Sequence, residues 1–269
     1  MLNYPNINPV AISIGVIKIH WYGIMYFIGL LIAFLIARSR SKLTRFKFFS
    51  GKQVLDDLLS YSVLGVIIGG RLGFCVLYRP EFYFYHPLEI IKIWEGGMAF
   101  HGGMLGVFVS TYLFAYKYKK SFFFISDFIA PLVPIGLLTG RIGNFINGEL
   151  YGKACDHIQL WCMKFPHSDE LLRHPSQMYE AMTEGLLLFI ILNIYNLKPR
   201  HTGQTSALFL IYYAIIRCCL ELFRQPDNYH YAQTIYHYTG LSLGQVYCIP
   251  MFMAGILIYA LASKRYFST

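Results

Sequence analysis

The chain has 269 residues, 56% of them apolar and only 14% charged, with 22 Tyr and 22 Phe. That balance is too apolar for a soluble domain of this size and excludes a water-soluble globular protein. The formal charge of +9 would suit nucleic acid, but the basic residues gather in short segments between apolar runs, as in a membrane protein anchored to anionic headgroups, so no nucleic-acid partner is expected.

Apolar runs of about 20 residues, the length that spans ~30 Å of hydrocarbon, recur near 20–37, 54–78, 98–116, 122–145, 176–196, 204–223 and 241–262. They predict an all-α polytopic integral membrane protein with about seven transmembrane helices in one transmembrane domain. The start, MLNYPNINPV, lacks the basic and apolar regions of a cleavable signal, so the first run is kept as a helix. It opens His20-Trp21-Tyr22-Gly23-Ile24-Met25-Tyr26, an aromatic belt at an interface. Tyr26 lies one turn deeper than Tyr22, where a hydroxyl needs a partner, and either packs or faces a polar cavity.

Short cytoplasmic loops collect Lys and Arg. Arg38, Arg40, Lys42, Arg45, Lys47 and Lys52 follow the first run, Lys117, Lys119 and Lys120 the third, Lys198 and Arg200 the fifth, and Lys264 and Arg265 the seventh; these are 13 of the 23 basic residues. The N-terminus is therefore expected outside and the C-terminus in the cytoplasm. The long connections 79–97, 146–175 and 224–240 then share the outer face, where binding residues tend to gather. Within the first of them, Pro87-Leu88-Glu89-Ile90-Ile91-Lys92-Ile93-Trp94-Glu95 fits an interfacial helix or a loop with an aromatic anchor.

Gly70-Arg71-Leu72-Gly73 in the second run resembles Gly140-Arg141-Ile142-Gly143 in the fourth, a parallel relation that chance alone can produce. The third run opens Phe100-His101-Gly102-Gly103. His101 is either a packing residue or, with a reference pKa near 6.5, a proton acceptor. The fourth ends Gly140-Arg141-Ile142-Gly143-Asn144-Phe145-Ile146-Asn147-Gly148-Glu149-Leu150-Tyr151-Gly152. An arginine so near lipid is costly unless it is paired or faces a cavity.

Six Cys show no metal-ligand spacing, and no metal or other cofactor is expected. Cys155 and Cys162 lie in the second long connection, either paired or as two free thiols. The fifth run is introduced by Arg173-His174-Pro175-Ser176-Gln177-Met178-Tyr179-Glu180, with Pro175 suited to a first turn. Its free N–H groups favour an anion, whereas Glu180 and Glu184 fit partners for the arginines. In the sixth, Tyr213, Arg217, Glu221 and Arg224 follow at steps of four, four and three, which places them on one helical face. Arg217 and Glu221 either lock helices together as an ion pair or serve a ligand.

Arg141, Arg217, Asn144 and the fifth helix terminus together resemble a phosphate clamp, because guanidinium forks bind phosphate oxygens bidentately. At this depth the phosphate is that of a phospholipid. No HExxH, GxSxG or P-loop motif is present, so direct transfer from a bound lipid to a base-activated acceptor is the simplest chemistry. Membrane transport and non-catalytic phospholipid binding are the rival readings.

These residues resemble the bacterial prolipoprotein diacylglyceryl transferase family, through HWYGIMY at 20, GGRLG at 69, FHGG at 100, the run 140–152, RHPSQMYE at 173 and FRQPD at 223. The resemblance runs nearly end to end. It implies transfer of the diacylglyceryl group of phosphatidylglycerol to the lipobox cysteine thiol of a preprolipoprotein, forming a thioether and releasing glycerol phosphate, by a monomer in the bacterial cytoplasmic membrane. It further implies that Arg141 and Arg217 hold the phosphate and His101 serves as base, while Tyr26, Asn144, Glu149, Gly152, Tyr213, Glu221 and Arg224 shape the pocket.

Overall fold

A computed structural model describes residues 4–264 apart from 6, 16, 156–160, 167, 170 and 226–229. Helices occupy all seven apolar runs, and four of them, Trp21–Arg40, Gln53–Tyr78, Ser176–Tyr195 and Leu243–Ser263, are long and apolar enough to cross a membrane on length and composition. The broken pair Phe122–Ile129 and Val133–Ile146 makes a fifth if counted as one span, while Gln204–Leu220 is shorter. The protein is a multi-pass membrane protein.

One feature lies outside the all-helical expectation. Ahead of the first helix, β1 (Val10–Ile14) and β2 (Ile17–His20) pair antiparallel, with Ile14 opposite Ile17 and Val10 opposite His20. The alternation of Val10, Ile12 and Ile14 is the period of a strand, and Gly15 turns the chain at φ 58°. The helices that follow are α1 (Trp21–Arg40), α2 (Lys52–Tyr78), α3 (Pro80–Tyr85), α4 (Phe100–Lys117), α5 (Phe122–Ile129), α6 (Val133–Ile146), α7 (Ser176–Glu180), α8 (Leu188–Tyr195), α9 (Gln204–Leu220), α10 (His230–Thr239) and α11 (Leu243–Ser263). The run 122–145 is broken at 130–132, where Pro131 and Pro134 withhold backbone N–H donors. Between α7 and α8 the helix widens into a π segment, Ala181–Leu187. The connection 224–240 carries α10, and the interfacial stretch forms two short 3-10 helices, Pro87–Ile91 and Ile93–Glu95.

The chain folds as two compact units, 37–128 and a second made of 1–36 with 129–267. In the 37–128 unit, α2 and α4 approach through glycines: a Cβ on Gly73 would lie 2.6 Å from the Gly102 Cα, and one on Gly69 2.7 Å from the Gly106 Cα. Small residues at such a crossing let backbones touch where no water drives association. The aromatic rings of Phe46, Phe49, Phe124 and Phe128 pack beside an Arg45–Asp127 ion pair whose carboxylate is fully buried. Arg71 donates to the carbonyls of Glu89 at 2.7 Å, Ile90 at 2.8 Å, Gly97 at 3.3 Å and also Gly96. It holds the 3-10 segments in place, so its likeness to Arg141 stops at sequence.

The other unit is built on α6, the helix from α7 through α8, α9 and α11, with β1, β2 and the first part of α1. Gly185 on the π segment packs against Leu138 of α6, and Gly255 on α11 against Ile211 of α9. Tyr4 donates to the carbonyls of Phe145 at 2.7 Å and Ile146 at 3.0 Å, satisfying groups left open at the end of α6.

Candidate active site

The α6 terminus supplies the first half of the site. One helical turn separates Arg141 from Asn144, and Arg141 Nη1 reaches Asn144 Oδ1 at 3.5 Å. After α6 the backbone enters left-handed conformations at Gly148 (φ 67°) and Leu150 (φ 58°). For leucine that is uncommon and must be stabilised by its surroundings. Those surroundings are visible: Asn144 Nδ2 and Asn147 Nδ2 donate to Glu149 Oε1 at 2.9 and 3.2 Å, Gln177 Nε2 to the Glu149 carbonyl at 2.7 Å, and Ser176 Oγ to the Leu150 carbonyl at 3.0 Å. The polar residues of 140–152 are thus wired to one another and to the start of α7. Tyr26 lies over the same helix, its hydroxyl 3.8 Å from a Cβ placed on Gly140, and shares a 3.0 Å hydrogen bond with Tyr22.

The second half is a knot of three guanidinium groups and three carboxylates from α6, α7, the π segment and the end of α9. Glu180 Oε2 accepts from Arg141 Nε at 2.6 Å and Arg217 Nη1 at 3.5 Å, while its Oε1 accepts from Arg224 Nη1 at 2.9 Å. Arg217 also reaches Glu184 Oε1 at 3.3 Å and Glu221 Oε1 at 2.7 Å, and Arg224 Nε lies 3.3 Å from Glu221 Oε1. Ser242, which caps α11, donates through Oγ to Glu221 Oε2 at 2.9 Å. Glu180 and Glu184 are completely enclosed, while the arginines keep 15 to 19% of their side chains exposed. Removing charges from water is tolerated only with such close pairing.

Arg217 and Glu221 form an ion pair one turn apart at the end of α9, and Glu180 and Glu184 contact the arginines from α7 and the π segment. The sequence marks Glu180 and Glu184 only as structural partners of the arginines, outside the binding residues, and does not single out Ser242. The spacing of Gln177, Glu180 and Glu184 along an apolar helix was the available signal for the first two; Ser242 had none beyond its capping position. Tyr213 sits one turn before Arg217 on α9, stacked on Phe209.

The helical face from Tyr213 to Arg224 is shorter than its spacing implied. α9 ends at Leu220, Glu221 to Phe223 form a turn, and Arg224 is held by a backbone bridge to Gly152. Gly152 has no room for a side chain: a Cβ there would strike the carbonyl oxygen of Phe223 and come within 3.0 Å of His174 O. His101 belongs to the 37–128 unit, exposed on the first turn of α4.

Cys155 and Cys162 are joined as a disulfide. Their sulfurs and a ring nitrogen of His174 lie within 4.8 Å of one another, the single grouping of metal-ligating type among the described residues. With the two sulfurs bonded together the trio offers no thiolate to an ion. His174 Nδ1 lies 3.2 Å from the Tyr179 hydroxyl, and burial pushes the pKa of its imidazole down.

These features define a polytopic membrane protein with a buried, charge-balanced arginine site between its helices. The profile of the prolipoprotein diacylglyceryl transferase family matches residues 9–261. A phosphatidylglycerol–prolipoprotein diacylglyceryl transferase of Legionella pneumophila (strain Corby) is 50% identical over 259 residues, 96% of this chain and 98% of that protein. Those of Bordetella parapertussis and Polaromonas naphthalenivorans are 49% and 45% identical, each over 98% of both chains. The chain belongs to the prolipoprotein diacylglyceryl transferase family.

Proposed function

We propose that the protein is a phosphatidylglycerol–prolipoprotein diacylglyceryl transferase. It moves the diacylglyceryl group of phosphatidylglycerol to the lipobox cysteine of a preprolipoprotein, the first step of bacterial lipoprotein maturation. The observation that carries the reading is the convergence of Arg141, Arg217 and Arg224 on Glu180. The three carboxylates cancel the three guanidinium charges, so the arginines are held oriented in a low-dielectric site before any ligand arrives. Each guanidinium has five N–H donors in a planar fork. Arg141 commits Nε to Glu180 and reaches Asn144 with Nη1 at a long 3.5 Å, which leaves its remaining terminal N–H donors for phosphate oxygens.

In the reaction the cysteine thiolate attacks the diacylglyceryl methylene carbon that bears the phosphate. A carbon–sulfur bond forms, the carbon–oxygen bond breaks, and its electron pair leaves on glycerol phosphate. The phosphate passes from one negative charge towards two as that bond breaks. Fixed cations beside it therefore stabilise the transition state more than the bound lipid, which is the requirement for catalysis. Arg141 and Arg217 fill this role. The thiol, with a free pKa near 8.5, must lose its proton, and His101 is the proposed acceptor. Tyr26, Asn144, Glu149, Gly152, Tyr213, Glu221 and Arg224 shape the pocket.

We place the site towards the periplasmic side of the bacterial inner membrane, in a monomer of seven spans with its N-terminus outside. The distribution of Lys and Arg supports this, as does the disulfide in the 146–175 connection, since such bonds persist in oxidising compartments. The test is transfer itself. Purified protein, phosphatidylglycerol vesicles and a lipobox peptide should yield a peptide heavier by one diacylglyceryl group on cysteine. Arg141→Ala and Arg217→Ala should abolish the product while Lys117→Ala retains it. An active Arg141→Ala enzyme would contradict the clamp.

A further inference from the structure

Arg173 stands just before α7 and takes no part in the arginine knot, yet its side chain is only 11% exposed and almost every donor it has is used. Nε and Nη2 bind Asp169 Oδ1 and Oδ2 at 2.8 and 2.7 Å, a two-pronged contact. Nη1 turns the other way, to the Gly152 carbonyl at 3.1 Å and Gln225 Oε1 at 2.9 Å. The plane lies 5.1 Å over the ring of Tyr151. Gly152 and Gln225 are the bridge partner and the chain neighbour of Arg224.

The backbone repeats that connection. Gly152 N donates to His174 O at 2.8 Å, His174 N to Lys153 O at 3.1 Å, and Lys153 N to Phe223 O at 2.9 Å. Residues 152–154 thus run between 172–174 on one side and 223–224 on the other. Arg173 itself exchanges two backbone hydrogen bonds with Met163, at 2.9 and 3.1 Å. This small sheet fixes where Arg224 leaves the backbone, and its far end meets Glu180 and Glu221.

We infer that Arg173 is a positioning residue for Arg224, acting through Gly152 and Gln225 and not on the lipid. The inference rests on the transferase reading for its catalytic consequence, though not for the contacts. A lysine cannot replace it, because one ammonium cannot grip both oxygens of Asp169 and also reach two acceptors on the opposite side.

The test is a double-mutant cycle on the full-length protein in phosphatidylglycerol vesicles with a lipobox peptide. Arg173→Met and Arg173→Lys should each lower kcat/KM for the lipid by roughly tenfold, the scale of a lost charge-assisted hydrogen bond. In the Arg224→Met background the same change should add less than twofold, because the group being positioned is gone. Independent, multiplying losses would overturn the proposal, as would unchanged kcat/KM in Arg173→Met. Hydrogen exchange at the Gly152 and Lys153 amides supplies a readout that needs no catalysis: Arg173→Met should speed it at least tenfold, and unchanged exchange would also overturn the proposal. Should the wild type exchange as expected yet transfer nothing, the transferase reading fails and the positioning contacts stand.

Discussion

Arg141 on α6 and Glu180 on α7 are joined by a 2.6 Å ion pair, and that carboxylate is also the one group shared by all three arginines of the site. Glu180 is thus more than a counter-ion to one residue. It sets the angle at which three guanidinium planes meet, and those planes are what a phosphate would read.

Glu180→Gln should therefore be the most damaging neutral substitution in the knot. Its amide offers one acceptor oxygen in place of two and turns an NH2 group towards a guanidinium. Breaking a buried charge network costs about 3–5 kcal/mol. Transfer should fall at least 100-fold, with a lower unfolding temperature in detergent. Glu184→Gln should be milder, within tenfold, since Glu184 meets Arg217 only at 3.3 Å and its Oε2 has no hydrogen-bond partner. Comparing rate and melting temperature of the two variants checks the order; a reversed order would remove Glu180 from its central place.

At the N-terminus of α11, Gly244 should matter more than the cap beside it. Ser242→Ala removes the cap and the bond to Glu221, a loss of about 1 kcal/mol. Gly244→Ala puts a methyl 2.5 Å from Glu221 Cδ and must drive that carboxylate away from Arg217 and Arg224. Lipid turnover at saturating peptide should drop several-fold in the first variant and by far more in the second. Equal rates would show that Glu221 yields freely.

Much of this fold was written in the hydropathy, and much of the site was not. Apolar runs at 54–78 and 241–262 became helices within two residues of those limits, because span length is dictated by hydrocarbon thickness alone. The break at 130–132 was legible in Pro131 and Pro134 but hidden inside one continuous apolar run. The π segment around Glu184 left no trace, since one inserted residue changes hydrogen bonding and not composition. Arg141 and Arg217 stood out by charge. Their choice of Glu180 depends on which helices touch, which is a tertiary fact. Arg71 carries a matching local pattern yet spends its donors on loop carbonyls, in keeping with a likeness that chance alone can produce.

Gly152 should tolerate no side chain. Even Ala would meet backbone oxygen on one strand and the His174 backbone on the other, and neither can swing aside as a flexible side chain does. Gly152→Ala should reach the membrane in normal amount yet lose most transfer, because the bridge that holds Arg224 opens. Western blotting of membranes beside the transfer assay separates the two effects; full activity would show that the bridge is dispensable.

Acid should weaken the fold first through His174. Its pKa is lowered by burial, so between the ordinary value near 6.5 and the lower folded value the unfolded chain binds the extra proton. Stability therefore falls as pH drops through that window. Asp169 behaves in the same sense at lower pH: Arg173 holds its carboxyl below the usual range, so the stability it adds is present above that range and lost as pH falls through the folded value. Thermal unfolding followed from pH 7.5 to 5.5 should decline in the wild type and flatten in His174→Gln. An equal slope in both would assign the decline to other groups.

The most direct test of the central claim is a phosphorus–nitrogen distance. Protein labelled with 15N at arginine, reconstituted with phosphatidylglycerol and studied by solid-state NMR, should show dipolar contact between the lipid phosphorus and guanidinium nitrogens that disappears in Arg141→Lys and Arg217→Lys together. Contact that persists in that double variant, or phosphorus that couples to no arginine while transfer proceeds, would contradict the phosphate clamp.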